Sequence, residues 1–138
     1  MSANTVDDRH FPSLSGTRVL IADDNSDLLE LLAGHLRRCG CTVDVATNGR
    51  EALECAERAM PAVALVDIEM PNLDGYAVAK HLRGLPQWKD VPLVALTAHH
   101  ARYHWDEAMD VGFTSYVTKP VNMAAVARLI ERLCTQES

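Results

Sequence analysis

The feature that most constrains this chain is a strict alternation, beginning at Arg18, of short and nearly all-apolar runs with longer runs whose apolar residues recur at helical spacing. The short runs are Arg18 to Ala22, Thr42 to Val45, Val63 to Val66, Leu93 to Leu96 and Ser115 to Thr118. They are rich in β-branched residues and mostly lack the polar alternation of a half-exposed strand, so they read as strands of a buried parallel sheet. Between them, Ser26 to Cys39 puts Leu28, Leu29, Leu32, Leu36 and Cys39 on one stripe, with Asn25 able to cap its start and Gly40 to end it. Arg50 to Ala59, Gly75 to Leu85 and Met123 to Cys134 are likewise amphipathic. The weakest helical pattern runs from about His100 to Val111, where Trp105, Ala108 and Met109 supply the apolar side. Parallel strands need crossover connections, and helices fill that role here. The expected architecture is α/β: a doubly wound five-stranded parallel sheet with five helices. Residues 1–16 mix polar groups with Pro12 and Gly16 and read as a flexible arm or linker, though Phe11 and Leu14 are able to dock on the body; residues 17–135 form the folded domain.

Composition narrows the function classes. With 138 residues, 48% of them hydrophobic, the chain fits one domain that buries a core without staples. Cys39, Cys41, Cys55 and Cys134 form no CxxC pair and sit in or beside apolar segments, so they are expected to be reduced thiols. Residues 1–16 lack the apolar centre of a signal peptide, and no stretch has the length to cross a bilayer, which predicts a cytoplasmic protein without membrane contact. The net charge of −6, with no cluster of Lys and Arg, argues against direct DNA binding.

In open parallel sheets ligands meet the carboxyl ends of the strands. The residues at those ends are Asp23 and Asp24, Asp67, Thr97 and Lys119. Three carboxylates converging within ~5 Å repel by a few kcal/mol per pair at an effective dielectric of ~20 unless a cation intervenes. An all-oxygen donor set favours Mg²⁺, with Mn²⁺ as a substitute, and Mg²⁺ also takes phosphate oxygens. The chemistry indicated is phosphoryl transfer. Asp67 is the carboxylate nucleophile whose product is a mixed anhydride, Asp24 binds the metal directly, Asp23 binds it through water, and Lys119 and Thr97 contact phosphoryl oxygens. Ala98 is small and leaves the approach open.

At these residues the chain resembles the receiver domains of response regulators, from roughly Thr17 to Leu133. Four stretches carry the resemblance: Val-Leu-Ile-Ala-Asp-Asp-Asn (19 to 25), Ala-Leu-Val-Asp-Ile-Glu-Met-Pro-Asn-Leu-Asp-Gly (64 to 75), Val-Ala-Leu-Thr-Ala (94 to 98) and Ser-Tyr-Val-Thr-Lys-Pro-Val (115 to 121). The resemblance implies a flavodoxin-like strand order of 2-1-3-4-5. It also implies a switch of two-component signalling rather than an enzyme acting on other substrates. By it, Asp67 is the phosphoacceptor, Asp23 and Asp24 the acidic pair, Thr97 the switch hydroxyl, Tyr116 the switch aromatic and Lys119 the phosphate-sensing lysine. The Glu69 backbone carbonyl completes the metal shell and the peptide before Pro120 is cis. The implied donor is a histidine kinase or histidine phosphotransfer protein, and the implied output is a protein partner reading the face of the fourth helix, fifth strand and fifth helix. Glu69 and His99, each two residues after a site residue, are positions expected to tune the lifetime of the phosphoryl group. The Leu-Ser-Gly-Thr-Arg-Val-Leu entry resembles receivers attached to kinases, so a stand-alone regulator and the receiver of a hybrid kinase both stay open, as does the oligomeric state.

Other readings fit less well. A phosphatase of the haloacid dehalogenase type requires an Asp two residues after the nucleophile and a Thr two further on, where this chain has Glu69 and Pro71. A pure docking module would leave the acidic site unused. His99, His100 and His104 lack a suitable third ligand and read as surface histidines, while Cys39 and Cys41 read as small apolar residues flanking a turn. Trp88 and Trp105 are expected to be structural or partner-facing.

Overall fold

The computed structural model describes residues 14–70, 74–98 and 101–135, with backbone alone over 101–104. Five strands, β1 (Arg18–Ala22), β2 (Thr42–Ala46), β3 (Val63–Asp67), β4 (Leu93–Thr97) and β5 (Ser115–Thr118), form one parallel sheet in the order β2-β1-β3-β4-β5. The helices are α1 (Ser26–Arg38), α2 (Gly49–Arg58), α3 (Gly75–Arg83), α4 (Ala101–Asp110) and α5 (Met123–Thr135). The predicted fold class, helix number and strand order all match.

Alternate strand residues divide the core into two layers. Val19, Ile21, Val63, Leu65, Val94 and Leu96 pack with the inner faces of α1 and α5. Leu20, Ala22, Ala64, Val66, Leu93 and Ala95 pack with α2, α3, α4 and Trp88 on the opposite face. Burial on both faces explains why β3 and β4 read as continuous apolar runs.

Polar residues fix where the helices begin. The side chains of Asn25, Asn48 and Asp74 accept hydrogen bonds from the backbone N–H groups of Leu28, Glu51 and Ala77, satisfying donors that a helix start leaves bare. Asn25 caps α1 as predicted, and Gly40, at φ +104°, ends the turn after it. Most boundaries differ from the sequence reading by a residue or two; α2 spans Gly49–Arg58, α4 Ala101–Asp110 and α5 runs on to Thr135. α1 stops at Arg38, with Cys39 as its cap. The third helix ends at Arg83 rather than Leu85, because Pro86 restarts the chain in a short 3₁₀ turn, Pro86–Trp88. β2, β3 and β4 each run one residue further, making Asp67 and Thr97 the last residues of their strands. Leu14, ahead of β1, is 3% exposed, and its N–H donates to the Cys39 carbonyl at 2.9 Å.

Trp88 is fully buried, which makes it a core residue rather than a partner-facing one. Cys39, Cys41 and Cys55 are buried free thiols; burial pushes all three up, Cys41 to about 11, so they are poor nucleophiles. Among the described residues no helix is long and apolar enough to cross a membrane.

Candidate functional site

The sheet register assembles the site. Ala22 lies beside Val66, so Asp23 follows β1 next to the end of β3, where Asp67 stands. Asp67 pairs with Leu96, placing Thr97 one residue beyond it, and Thr97 pairs with Thr118, placing Lys119 at the same edge. The Lys119 N–H donates to the Thr97 carbonyl at 2.8 Å, extending that ladder past β5. The Lys119–Pro120 peptide is cis, as the resemblance implied.

The ligand oxygens of Asp23, Asp24 and Asp67 all lie within 4.8 Å of one another. Asp23 and Asp67 are buried, while Asp24 is exposed. The Lys119 ammonium sits 2.7 Å from Asp23 Oδ2 and 3.2 Å from Asp67 Oδ2, bridging the two buried acids. The backbone N–H groups of Asn25 and Glu69 donate to Asp23 Oδ1 and Asp67 Oδ1 at 2.9 and 3.0 Å. Three carboxylates and one ammonium leave formal negative charge at the strand ends. Burial pushes the Asp67 carboxyl up to about 6; the Glu69 N–H opposes this, Asp23 adds to it, and Lys119 draws it back. For Lys119, burial works to lower the pKa but is outweighed by Asp23 and Asp67, and the net shift is upward.

The donor set fits a hard divalent cation. It is all oxygen, and Asp23 Oδ2, although buried, accepts no well-directed hydrogen bond among the described residues; it faces the Lys119 ammonium instead. Beside the acids, a groove of about 530 Å³ is lined by Asp24, Ile68, Glu69, Met70, Tyr76 and Glu107, giving the exposed side of the site room for a ligand. Ala98, next after β4, is exposed.

Of the residues singled out by sequence, Asp23, Asp24, Asp67 and Lys119 come together, Thr97 is buried at the same sheet edge by register, and Glu69 lies exposed on the loop after β3. Tyr116 does not join them: it points outward from β5, 42% exposed, with its ring edge-to-face against Trp105 at 5.0 Å and 64°. His99 and His100 lie outside the described residues, as does the side chain of His104. A second groove, about 420 Å³, runs between β5 and α5 past Tyr116, Thr118, Asn122, Arg128 and Arg132.

One residue of the site was not legible as such. Gly75 opens α3 directly against the backbone of β3, and its N–H donates to the Ile68 carbonyl at 2.9 Å. A Cβ there would overlap the Asp67 carbonyl oxygen and stand 2.7 Å from the Ile68 Cα. Glycine at this position lets the helix start close over the strand that carries Asp67. The Asp-Gly pair at 74–75 signals a helix start, but only the tertiary contact shows why the second residue must lack a side chain.

A doubly wound parallel sheet with a carboxylate cluster, a lysine and a hydroxyl at its carboxyl edge defines a class of α/β proteins with an acidic site at the strand ends. Within it, the chain belongs to the response regulator receiver domain family, whose pattern matches residues 19–131, and so is a receiver domain of two-component signalling. It is 35% identical over 122 residues to an uncharacterised 14.6 kDa protein of the sodA1 3′ region in Leptolyngbya boryana, covering 88% of this chain and 93% of that one. It is 34% identical over 116 residues to the sensor histidine kinase CheAY of Helicobacter pylori, covering 83% of this chain but only 14% of the kinase. Among solved structures, the receiver domain of sensor histidine kinase PA1611 from Pseudomonas aeruginosa superimposes with a TM-score of 0.80 at 28% identity, covering 88% of this chain and 99% of that one; it was solved with magnesium in its active site cleft.

Proposed function

We propose that this chain is the phosphoacceptor switch of a two-component phosphorelay, taking a phosphoryl group onto Asp67 from a histidine kinase or a histidine phosphotransfer protein. The observation that carries the reading is the pair of buried carboxylates, Asp23 and Asp67, bridged by Lys119 with Asp24 alongside. Asp23, Asp24, Asp67 and the Glu69 carbonyl would hold Mg²⁺. When bound, the ion would neutralise the carboxylates and the charge on the transferring group.

The protein's own contribution is positioning. An Asp67 carboxylate oxygen forms a bond to phosphorus as the phosphorus–nitrogen bond of the donor phosphohistidine, protonated on its other ring nitrogen, breaks, leaving an acyl phosphate on Asp67 and a neutral imidazole on the donor. Asp67 Oδ1 is oriented by the Glu69 N–H, and the Lys119 ammonium, already on Asp67 Oδ2, moves with the charge onto a phosphoryl oxygen. Thr97 closes on a second oxygen, and Tyr116 turns inward into the space this releases. A protein partner reads the rearranged face of α4, β5 and α5, without direct DNA contact by this chain. Glu69 and His99 set how long the acyl phosphate survives attack by water. The chain acts as a switch rather than as an enzyme on other substrates, either alone or as the receiver of a hybrid kinase.

Incubation with acetyl phosphate and Mg²⁺ followed by intact mass spectrometry tests the reading. The parent gains one phosphate-sized increment that hydroxylamine removes, and Asp67→Asn gains none. A parent that stays unmodified, or an increment that persists in Asp67→Asn, would count against it.

A further inference from the structure

We propose that the edge-to-face contact between Trp105 and Tyr116 is a latch that holds this chain in its unphosphorylated conformation; this rests on the reading of Tyr116 as the switch aromatic. β5 is the outer strand of the sheet, and Tyr116 projects from it with 42% of its surface exposed. Its described ring partner is the Trp105 indole of α4, at 5.0 Å and 64°, the geometry in which one ring's positive edge meets the other's negative face. Of α4 residues 105–110, only Ala108 is buried and Trp105 half-buried, and both pack on the core layer beneath them. Just past its far end it is pinned differently: the Arg83 guanidinium donates twice to the Gly112 carbonyl, at 3.0 and 2.8 Å.

A contact shifts an equilibrium only if it differs between the two states. Tyr116 must leave the indole to turn inward, so the ring contact stabilises the outward state alone. Edge-to-face pairs of this kind correspond to a bias of about 2- to 10-fold.

Beryllofluoride binding with Mg²⁺, followed by ¹⁹F NMR, reads that bias at equilibrium. Trp105→Ala should half-saturate at about 2- to 10-fold lower beryllofluoride than the parent, with Trp105→Phe, which keeps a ring, falling between them. In a Tyr116→Ala background the same Trp105→Ala change should have no effect, because the latch has already lost one half. Without any ligand, hydrogen exchange over α4 should be faster in Trp105→Ala than in the parent. Equal half-saturation in parent and Trp105→Ala, an effect that survives in the Tyr116→Ala background, or unchanged exchange over α4 each overturns the latch. A parent that binds no beryllofluoride, with exchange over α4 still faster in Trp105→Ala, overturns the phosphoacceptor reading, and the latch falls with it as a switch device.

Discussion

Replacing Asp67 with asparagine removes a charge that the fold holds at a cost, so the variant should be more stable than the parent. The Asp67 carboxyl is 4% exposed and is raised from 3.8 to about 6, chiefly by burial. A shift of that size corresponds to about 3 kcal/mol. That shift is already net of the attraction of Lys119, so asparagine, which keeps the side-chain shape, should gain about 2–3 kcal/mol at pH 7.5 in metal-free buffer. The pH dependence gives the effect its signature. Below 3.8 the carboxyl is neutral in both folded and unfolded chains and costs nothing. Between 3.8 and about 6 the unfolded chain has released its proton while the folded chain still holds one, so this group's contribution falls as pH rises and is constant above about 6. Urea unfolding of parent and Asp67→Asn, followed by the fluorescence of the buried Trp88, measures the difference at pH 7.5 and again near pH 4. The reasoning fails if the variant is equally or less stable at pH 7.5, or if the difference is the same at both pH values.

Further outcomes follow from the same geometry. Millimolar Mg²⁺ should raise the unfolding midpoint of the parent by mass action, and Asp23→Asn or Asp24→Ala should blunt that rise, as thermal unfolding with and without EDTA would show. Gly75→Ala drives a methyl group into the backbone of Asp67 and Ile68; a loss of about 1–3 kcal/mol in urea unfolding, with slower phosphorylation by acetyl phosphate, is expected. Arg83→Met abandons the hydrogen bonds to the Gly112 and Trp88 carbonyls and should cost about 2–3 kcal/mol in the same assay, leaving the phosphorylation site chemically intact. If Glu69 and His99 tune the phosphoryl lifetime, Glu69→Ala and His99→Ala will change the dephosphorylation rate, and rates equal to the parent's would remove them from that role.

The parts of the fold legible in the sequence were those with a periodic or local cause. Strands buried on both faces leave unbroken apolar runs such as Ala64 to Val66, and cap residues such as Asn25 act through bonds within a few positions of themselves. The carboxylates were legible for a different reason: strands that all run parallel bring every carboxyl end to a single edge. What stayed hidden depends on distant contacts. Arg83 reads as a solvated residue at a helix end, yet its guanidinium joins the end of α3, the 3₁₀ turn and the loop before β5. Trp88 sits in a Pro-Gln-Trp stretch with no helical or strand period, so its complete burial had no sequence signature. Tyr116 and Trp105 were each visible, but their ring contact was not.

The central claim concerns one oxygen donor, and chemical trapping tests it most directly. After treatment with acetyl phosphate and Mg²⁺, borohydride reduces an acyl phosphate to the alcohol, converting a phosphorylated aspartate to homoserine, which peptide mass spectrometry locates by position. The account predicts homoserine at position 67 alone. Homoserine at position 23 or 24, or none in a parent shown to be folded, would contradict it.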